Sequence, residues 1–225
     1  METIKISILI LIIISVIFSA LAFVLTIFKK KKDADLSIRN SYPYEYYMNM
    51  NEKKRTIIYT IICVNMLISS LAAFLALYGL KSAFSLLVAI MFVLAIITFS
   101  LGFITPLSKT KTHIILIISS FLLYMSVNIM LAFIKVIEGT IYYGTDFNLT
   151  ISIILGVFGF ISLLSFFNPK LKNWAKLEKS EDNGTTFYIK PKVNYLALYE
   201  WIYYILFELT ILLISINALI NPSII

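Results

Sequence analysis

The chain has almost no cysteine or histidine. Cys63 and His113 are the only residues of their kinds among 225. One cysteine excludes an intramolecular disulfide and a paired-thiol redox centre. Zinc sites draw three or four ligands from His, Cys and carboxylates, and His and Cys cannot supply such a set here. Zinc-dependent membrane hydrolases and a haem held by two histidines of the chain are therefore excluded. No cofactor and no metal are expected.

Charge is scarce too. Asp, Glu, Lys and Arg make up 14% of the residues and hydrophobic residues 60%. An ordinary soluble domain is about a quarter charged, and a soluble core of this size cannot hide so much apolar surface. A bilayer can, because lipid is itself apolar. Signatures of chemistry are also missing. There is no Gly-rich phosphate loop with its lysine, and His113 alone cannot build a Ser-His-Asp constellation. Asp33, Asp35, Asp146 and Asp182 all fall between the apolar runs, so no intramembrane aspartate pair exists. The chain reads as a non-enzyme more readily than as an enzyme.

What is present is length of apolar sequence. A spanning helix takes about 20 apolar residues, and six stretches qualify, at about 6–28, 56–80, 82–105, 113–137, 149–167 and 196–219. They are too long for strands and lack the alternation of a membrane barrel. Backbone groups in lipid must be satisfied within the segment, which leaves helices. The expected fold is all-α, a single polytopic membrane helical bundle of about six transmembrane helices. Lys5, an apolar stretch and Ala20-Leu21-Ala22 imitate a secretory leader, but the run continues to Phe28 and ends at four lysines. A retained helix is expected.

The formal charge is +7, and its placement matters more than its size. Connections 29–55, 106–112 and 168–195 hold 16 of the 19 basic residues; only Lys5, Lys81 and Lys135 lie elsewhere. Basic and non-basic connections alternate strictly, as six crossings require. Basic loops stay in the cytoplasm, so both termini are expected outside it. The partner of this charge is expected to be membrane lipid with anionic headgroups rather than nucleic acid. Another copy of the chain or another membrane protein is a further expected partner. A composition rich in Lys, Ile and Asn points to a bacterial source, hence a bacterial cytoplasmic membrane.

Within loop 168–195, Lys170 to Lys179 reads as an interfacial amphipathic helix. Lys170, Lys172, Trp174 and Lys176 are its candidate headgroup contacts. Asp182-Asn183-Gly184 is a turn signal, with 177–180 and 185–189 as arms of a small hairpin. In loop 29–55, Tyr42, Tyr44, Tyr46 and Tyr47 surround Pro43 and read as interfacial anchors. Ser41-Tyr42-Pro43-Tyr44-Glu45 is similar to the Ser-Pro-Tyr-Glu-Cys-Gly segment of a small membrane subunit of respiratory quinone reductases. The similarity covers five residues, with Tyr46 and Tyr47 where that pattern has Cys and Gly, and it carries no function across.

Glu208 is the conspicuous residue. It interrupts the sixth run between Ile205-Leu206-Phe207 and Leu209. A carboxylate at mid-membrane costs several kcal/mol unless paired, hydrated or protonated. By depth, Asn65 and Asn128 are its candidate partners in an intramembrane polar site, although asparagines in spans are more often interhelical glue. His113 and Glu200 are secondary candidates at the cytoplasmic ends of runs four and six. His113 is expected to be solvated, and Glu200 to complement a helix N-terminus. Lys135 and Glu138 share a helix face near the outer end of run four, where snorkelling is the simpler account. Ser152, Gly156, Gly159 and Ser162 form a stripe of small residues suited to close helix packing.

Three functions fit. The first is a small-solute or ion transporter, a permease-like bundle using the midplane carboxylate. The second is a non-catalytic membrane subunit or scaffold that binds lipids or other membrane proteins. The third is an enzyme acting on lipid headgroups, which requires polar groups to converge near His113 and Glu200.

Overall fold

A computed structural model describes residues 2–28, 37–48, 50–80, 82–105, 109–141, 147–169, 178–182, 185–189 and 193–220. The elements are α1 (Glu2–Phe28), α2 (Pro43–Met48), α3 (Glu52–Tyr78), α4 (Ala83–Ile104), α5 (Thr110–Ile141), α6 (Leu149–Phe166), β1 (Glu178–Asp182), β2 (Thr185–Ile189) and α7 (Tyr195–Ile220). Among the described residues, six helices are long and apolar enough to cross a membrane: α1, α3, α4, α5, α6 and α7. This architecture is compatible with a multi-pass membrane protein.

The helix ends follow from local chemistry. Asn51 caps α3 by accepting from the Lys54 N–H, and Asn148 caps α6 by accepting from Thr150 and Ile151. Ser82 and Ser85 form a reciprocal capping box that opens α4. These side chains satisfy backbone donors that the first turn leaves orphaned. The Asn51 cap lets α3 begin before its apolar stretch, and α5 runs beyond its apolar stretch at both ends.

Consecutive spans pack side by side in the order α1, α3, α4, α5, α6, and α7 closes the bundle against α1, α3, α5 and α6. Phe92 and Phe99 of α4 also stack on Phe207 of α7. The last helix is therefore the axial one. Its buried face carries Glu200, Trp201, Tyr203, Phe207, Thr210, Ile214 and Asn217. The outer surface is apolar: Ile10, Ile13 and Ile17 on α1, Leu67 and Leu71 on α3, and Ile153, Val157 and Phe160 on α6 are all exposed. In water such a surface is an aggregation hazard; against acyl chains it is ordinary.

Gly156 and Gly159 of α6 face α5. A methyl group on Gly156 would lie 3.0 Å from the Ala132 Cβ, and one on Gly159 would lie 3.1 Å from the Ile129 backbone nitrogen. The stripe is thus used for packing inside the bundle.

β1 and β2 pair antiparallel, with Glu178 opposite Ile189 and Asp182 opposite Thr185. This is the hairpin expected around Asp182-Asn183-Gly184, shifted on its first arm. Glu178 and Lys179, which the sequence offered both to the end of an amphipathic helix and to the first hairpin arm, belong to β1. Lys170, Lys172, Trp174 and Lys176 lie outside the described residues.

Candidate functional site

Glu208 sits near the middle of α7. Its Oε1 accepts from the Ser19 hydroxyl of α1 and from Asn65 Nδ2 of α3 at 3.2 Å. Asn65 Nδ2 also lies 2.6 Å from Ser19 Oγ. Ser15 and Ser69 hydroxyls meet at 2.7 Å one turn further along, and the Ser69 hydroxyl is 3.5 Å from Asn65 Oδ1. Three helices therefore contribute to one polar cluster at the depth where lipid demands that every polar atom be matched.

The cluster walls a cavity of about 30 Å³ between α1, α3, α4 and α7, bordered by Asn65, Ser69, Ser100, Tyr204 and Glu208 among apolar residues. A water needs about 10–15 Å³ of such space and several polar partners. The cavity therefore has room for about two waters; an organic solute does not fit. The groups acting on Glu208 are hydroxyls and an amide, so it has no cationic partner among the described residues.

Asn65 thus joins Glu208, and Asn128 does not. Asn128 Nδ2 donates to the Tyr124 carbonyl at 2.9 Å, and its Oδ1 accepts from Thr210 at 3.4 Å. The Tyr124 hydroxyl lies 2.8 Å from Thr210 Oγ1 and 3.0 Å from the Leu206 carbonyl. This is a closed set of bonds tying α5 to α7. Lys135 is exposed on α5, and the side chain of Glu138 lies outside the described residues.

His113 and Glu200 depart most from their sequence reading. Both are 0% exposed, where His113 was expected to be solvated and Glu200 to complement a helix N-terminus. His113 Nε2 lies 2.9 Å from Glu200 Oε1, and Nδ1 lies 2.8 Å from the Thr105 carbonyl. A carbonyl only accepts, so Nδ1 carries a proton. Nε2 and Oε1 then share a second proton, as imidazolium with carboxylate or imidazole with carboxylic acid. Both forms are neutral overall, which makes the burial tolerable. Glu200 Oε2 is buried and has no hydrogen-bond partner among the described residues.

The pair is buried because segment 37–48 folds over it. Tyr42 meets the His113 ring edge-on at 5.6 Å, and Tyr46 meets Trp201 at 5.6 Å. Trp201 Nε1 donates to the Ser41 carbonyl at 3.1 Å, and the Asn194 N–H donates to the Arg39 carbonyl at 2.8 Å. Asn194 Oδ1 also accepts from the Tyr42 hydroxyl at 3.4 Å and from the Ala197 N–H at 3.3 Å, so it caps α7 while holding the segment. Tyr42 and Tyr46 are therefore buried pieces of the bundle rather than interfacial anchors; the side chains of Tyr44 and Tyr47 lie outside the described residues. Burial, with the Glu200 carboxylate next in effect, pushes the Tyr42 phenol above its ordinary range. Burial, with Glu45, does the same to Tyr46.

Between the two polar layers lies an aromatic one. Trp201 meets Phe23 at 5.9 Å and Phe103 at 5.8 Å, and Tyr204 stacks on Phe103 at 5.3 Å.

Fold and site together describe a six-helix bundle with an acid at mid-span and a buried His–Glu pair beneath it. No family model, no curated protein and no solved structure matches this chain.

Proposed function

We propose that this chain is an integral membrane protein that carries protons or a small cation across a bilayer by way of Glu208. In this reading loops 29–55, 106–112 and 168–195 face the cytoplasm, both termini face outward, and the chain forms one membrane domain, in a bacterial cytoplasmic membrane. The observation that carries the reading is the Glu208 carboxylate: mid-span, held by Ser19 and Asn65, and bordering a water-sized cavity. An intramembrane acid without a fixed countercharge is expensive to maintain and marks ion or proton pathways. The cavity volume narrows the cargo from a small solute to an ion.

The test is flux in vesicles reconstituted with the purified chain, loaded with a pH-reporting dye and given an imposed membrane potential. Wild-type protein is expected to acidify or alkalinise the lumen, and Glu208→Gln to lose at least tenfold in rate. Equal rates in the two proteins overturn the carboxylate mechanism.

A second reading is a non-catalytic scaffold or subunit that binds anionic lipid or another membrane protein. One observation favours it: a groove of about 180 Å³ at the basic-loop end of α1 and α3, walled by Leu25, Met50, Ile57 and Ile58 with Lys54 beside it. Apolar walls and one cation suit an acyl chain under an anionic headgroup. Wild-type vesicles that pass no proton, sodium or potassium support this reading over the first.

A further inference from the structure

Glu200, Tyr204 and Glu208 stand at i, i+4 and i+8 on α7. That spacing places them in one stripe up a single helix face. The stripe rises about 12 Å from Glu200 to Glu208 at 1.5 Å per residue. Each residue has a second contact suited to proton movement. Glu200 shares a proton with His113. Tyr204 donates its hydroxyl to the Ser19 carbonyl at 2.9 Å and borders the cavity with Glu208. Ser19 in turn donates to Glu208.

We propose that His113 and Glu200 form a second proton-binding site, at the basic-loop end of the bundle, and that it exchanges protons with Glu208 through Tyr204. The relay rests on reading Glu208 as a proton-carrying carboxylate. Two features of the pair motivate it beyond the alignment. The pair holds one mobile proton at zero net charge, so moving that proton from Nε2 to Oε1 separates no charge. Glu200 Oε2 is buried without a partner among the described residues, and a buried carboxylate oxygen is rarely left so in a purely structural pair.

The step balances with water as the only co-reactant. Protonated Glu200 gives its proton to a water, that water gives one to the Tyr204 oxygen, and the phenol proton passes by way of cavity water to the Glu208 carboxylate. The proton that Glu200 gives up is the one it shares with His113 Nε2; its departure leaves a neutral imidazole beside a carboxylate, and His113 Nε2 is then reprotonated from the loop side. Other ionisable groups near the pair are Tyr42 and Glu45 of the covering segment, together with Lys109 and Lys111, exposed at the start of α5. Facing Glu208, the neighbouring ionisable group is Tyr204; its α1 and α3 partners, Ser15, Ser19 and Asn65, are uncharged.

The experiment is infrared-detected hydrogen–deuterium exchange of the Glu208 carboxyl in lipid nanodiscs. Its band is identified as the one that Glu208→Gln removes. Tyr204→Phe keeps the ring stacked on Phe103 and removes only the hydroxyl. We expect the band to persist in this variant while its exchange slows at least tenfold. Glu200→Gln, which keeps a hydrogen bond to His113 but has no carboxyl proton to pass on, is expected to slow exchange equally, and it serves if Tyr204→Phe fails to fold. Exchange as fast as wild type in either folded variant overturns the relay, as does a wild-type spectrum without a Glu208-dependent band. Slowed exchange combined with no effect of Glu208→Gln on vesicle flux sinks the transport reading and leaves the relay. Normal Glu208-dependent flux with unchanged exchange does the reverse.

Discussion

His113 Nε2 of α5 lies 2.9 Å from Glu200 Oε1 of α7, 87 residues further along the chain, and neither side chain is exposed. Removing one partner strands the other. His113→Leu or Glu200→Leu is expected to lower stability by about 3–5 kcal/mol, the usual result of leaving one member of a buried pair alone. The double substitution is expected to lose less than the two singles combined, because no unmatched group remains. Thermal denaturation of the four proteins in one detergent measures this coupling; strict additivity would show that the pair contributes no interaction of its own.

The covering segment 37–48 is held by one indole bond and one asparagine. Trp201→Phe removes the donor to the Ser41 carbonyl, worth about 1 kcal/mol. A thiol placed by Ser41→Cys in a Cys63→Ser background reports the consequence. Ser41 is fully buried, so the thiol is expected to label slowly, and several-fold faster when Trp201→Phe is added. Equal labelling rates would show that the indole does not hold the segment.

These two predictions concern the part of the molecule least legible in the sequence. The spans themselves were legible, because apolar length and hydrophobic solvation answer to the same physics, and α1 and α3 through α7 follow the six runs. The meeting of Glu208 with Asn65 was legible by depth alone. Ser15, Ser19 and Ser69 were not, since serines are common in spans and hydropathy does not set helix rotation. His113 was read as solvated, and Glu200 as a complement to a helix N-terminus, because each lies at the end of an apolar run. Nothing local says that a tyrosine-rich loop returns to cover them. One signal was available: the i, i+4, i+8 spacing of Glu200, Tyr204 and Glu208 marks them as one face of α7.

Helix packing gives a sharper test of the small-residue stripe. Gly159→Val forces side-chain atoms against the Ile129 backbone, where even a Cβ sits at 3.1 Å. Overpacking of this kind costs about 1–3 kcal/mol, and the α5–α6 contact is expected to loosen. At Gly156 the nearest atom is the Ala132 Cβ, a side-chain atom at 3.0 Å, so Gly156→Ala is expected to be milder than Gly159→Val. Melting temperatures in detergent rank the two, and the reverse order would contradict the packing of α6 on α5.

The two asparagines provide the last contrast. Asn65 and Asn128 looked equivalent by depth, yet their bonds differ in kind. Asn128 joins Tyr124 and Thr210, all uncharged. Such interhelical bonds average about 0.6 kcal/mol in membrane proteins, and Thr210→Val is expected to cost about that much while leaving vesicle flux unchanged. Asn65 donates to an acid that has few other donors. Asn65→Leu leaves Glu208 with the Ser19 and Ser15 hydroxyls as its hydrogen-bond donors among the described residues, and an undersupplied buried acceptor costs about 1–3 kcal/mol. Because the same bond positions the carboxylate beside the cavity, Asn65→Leu is expected to reduce flux severalfold as well as stability. Equal effects of the two substitutions on flux would mean that Asn65, like Asn128, serves only to join helices.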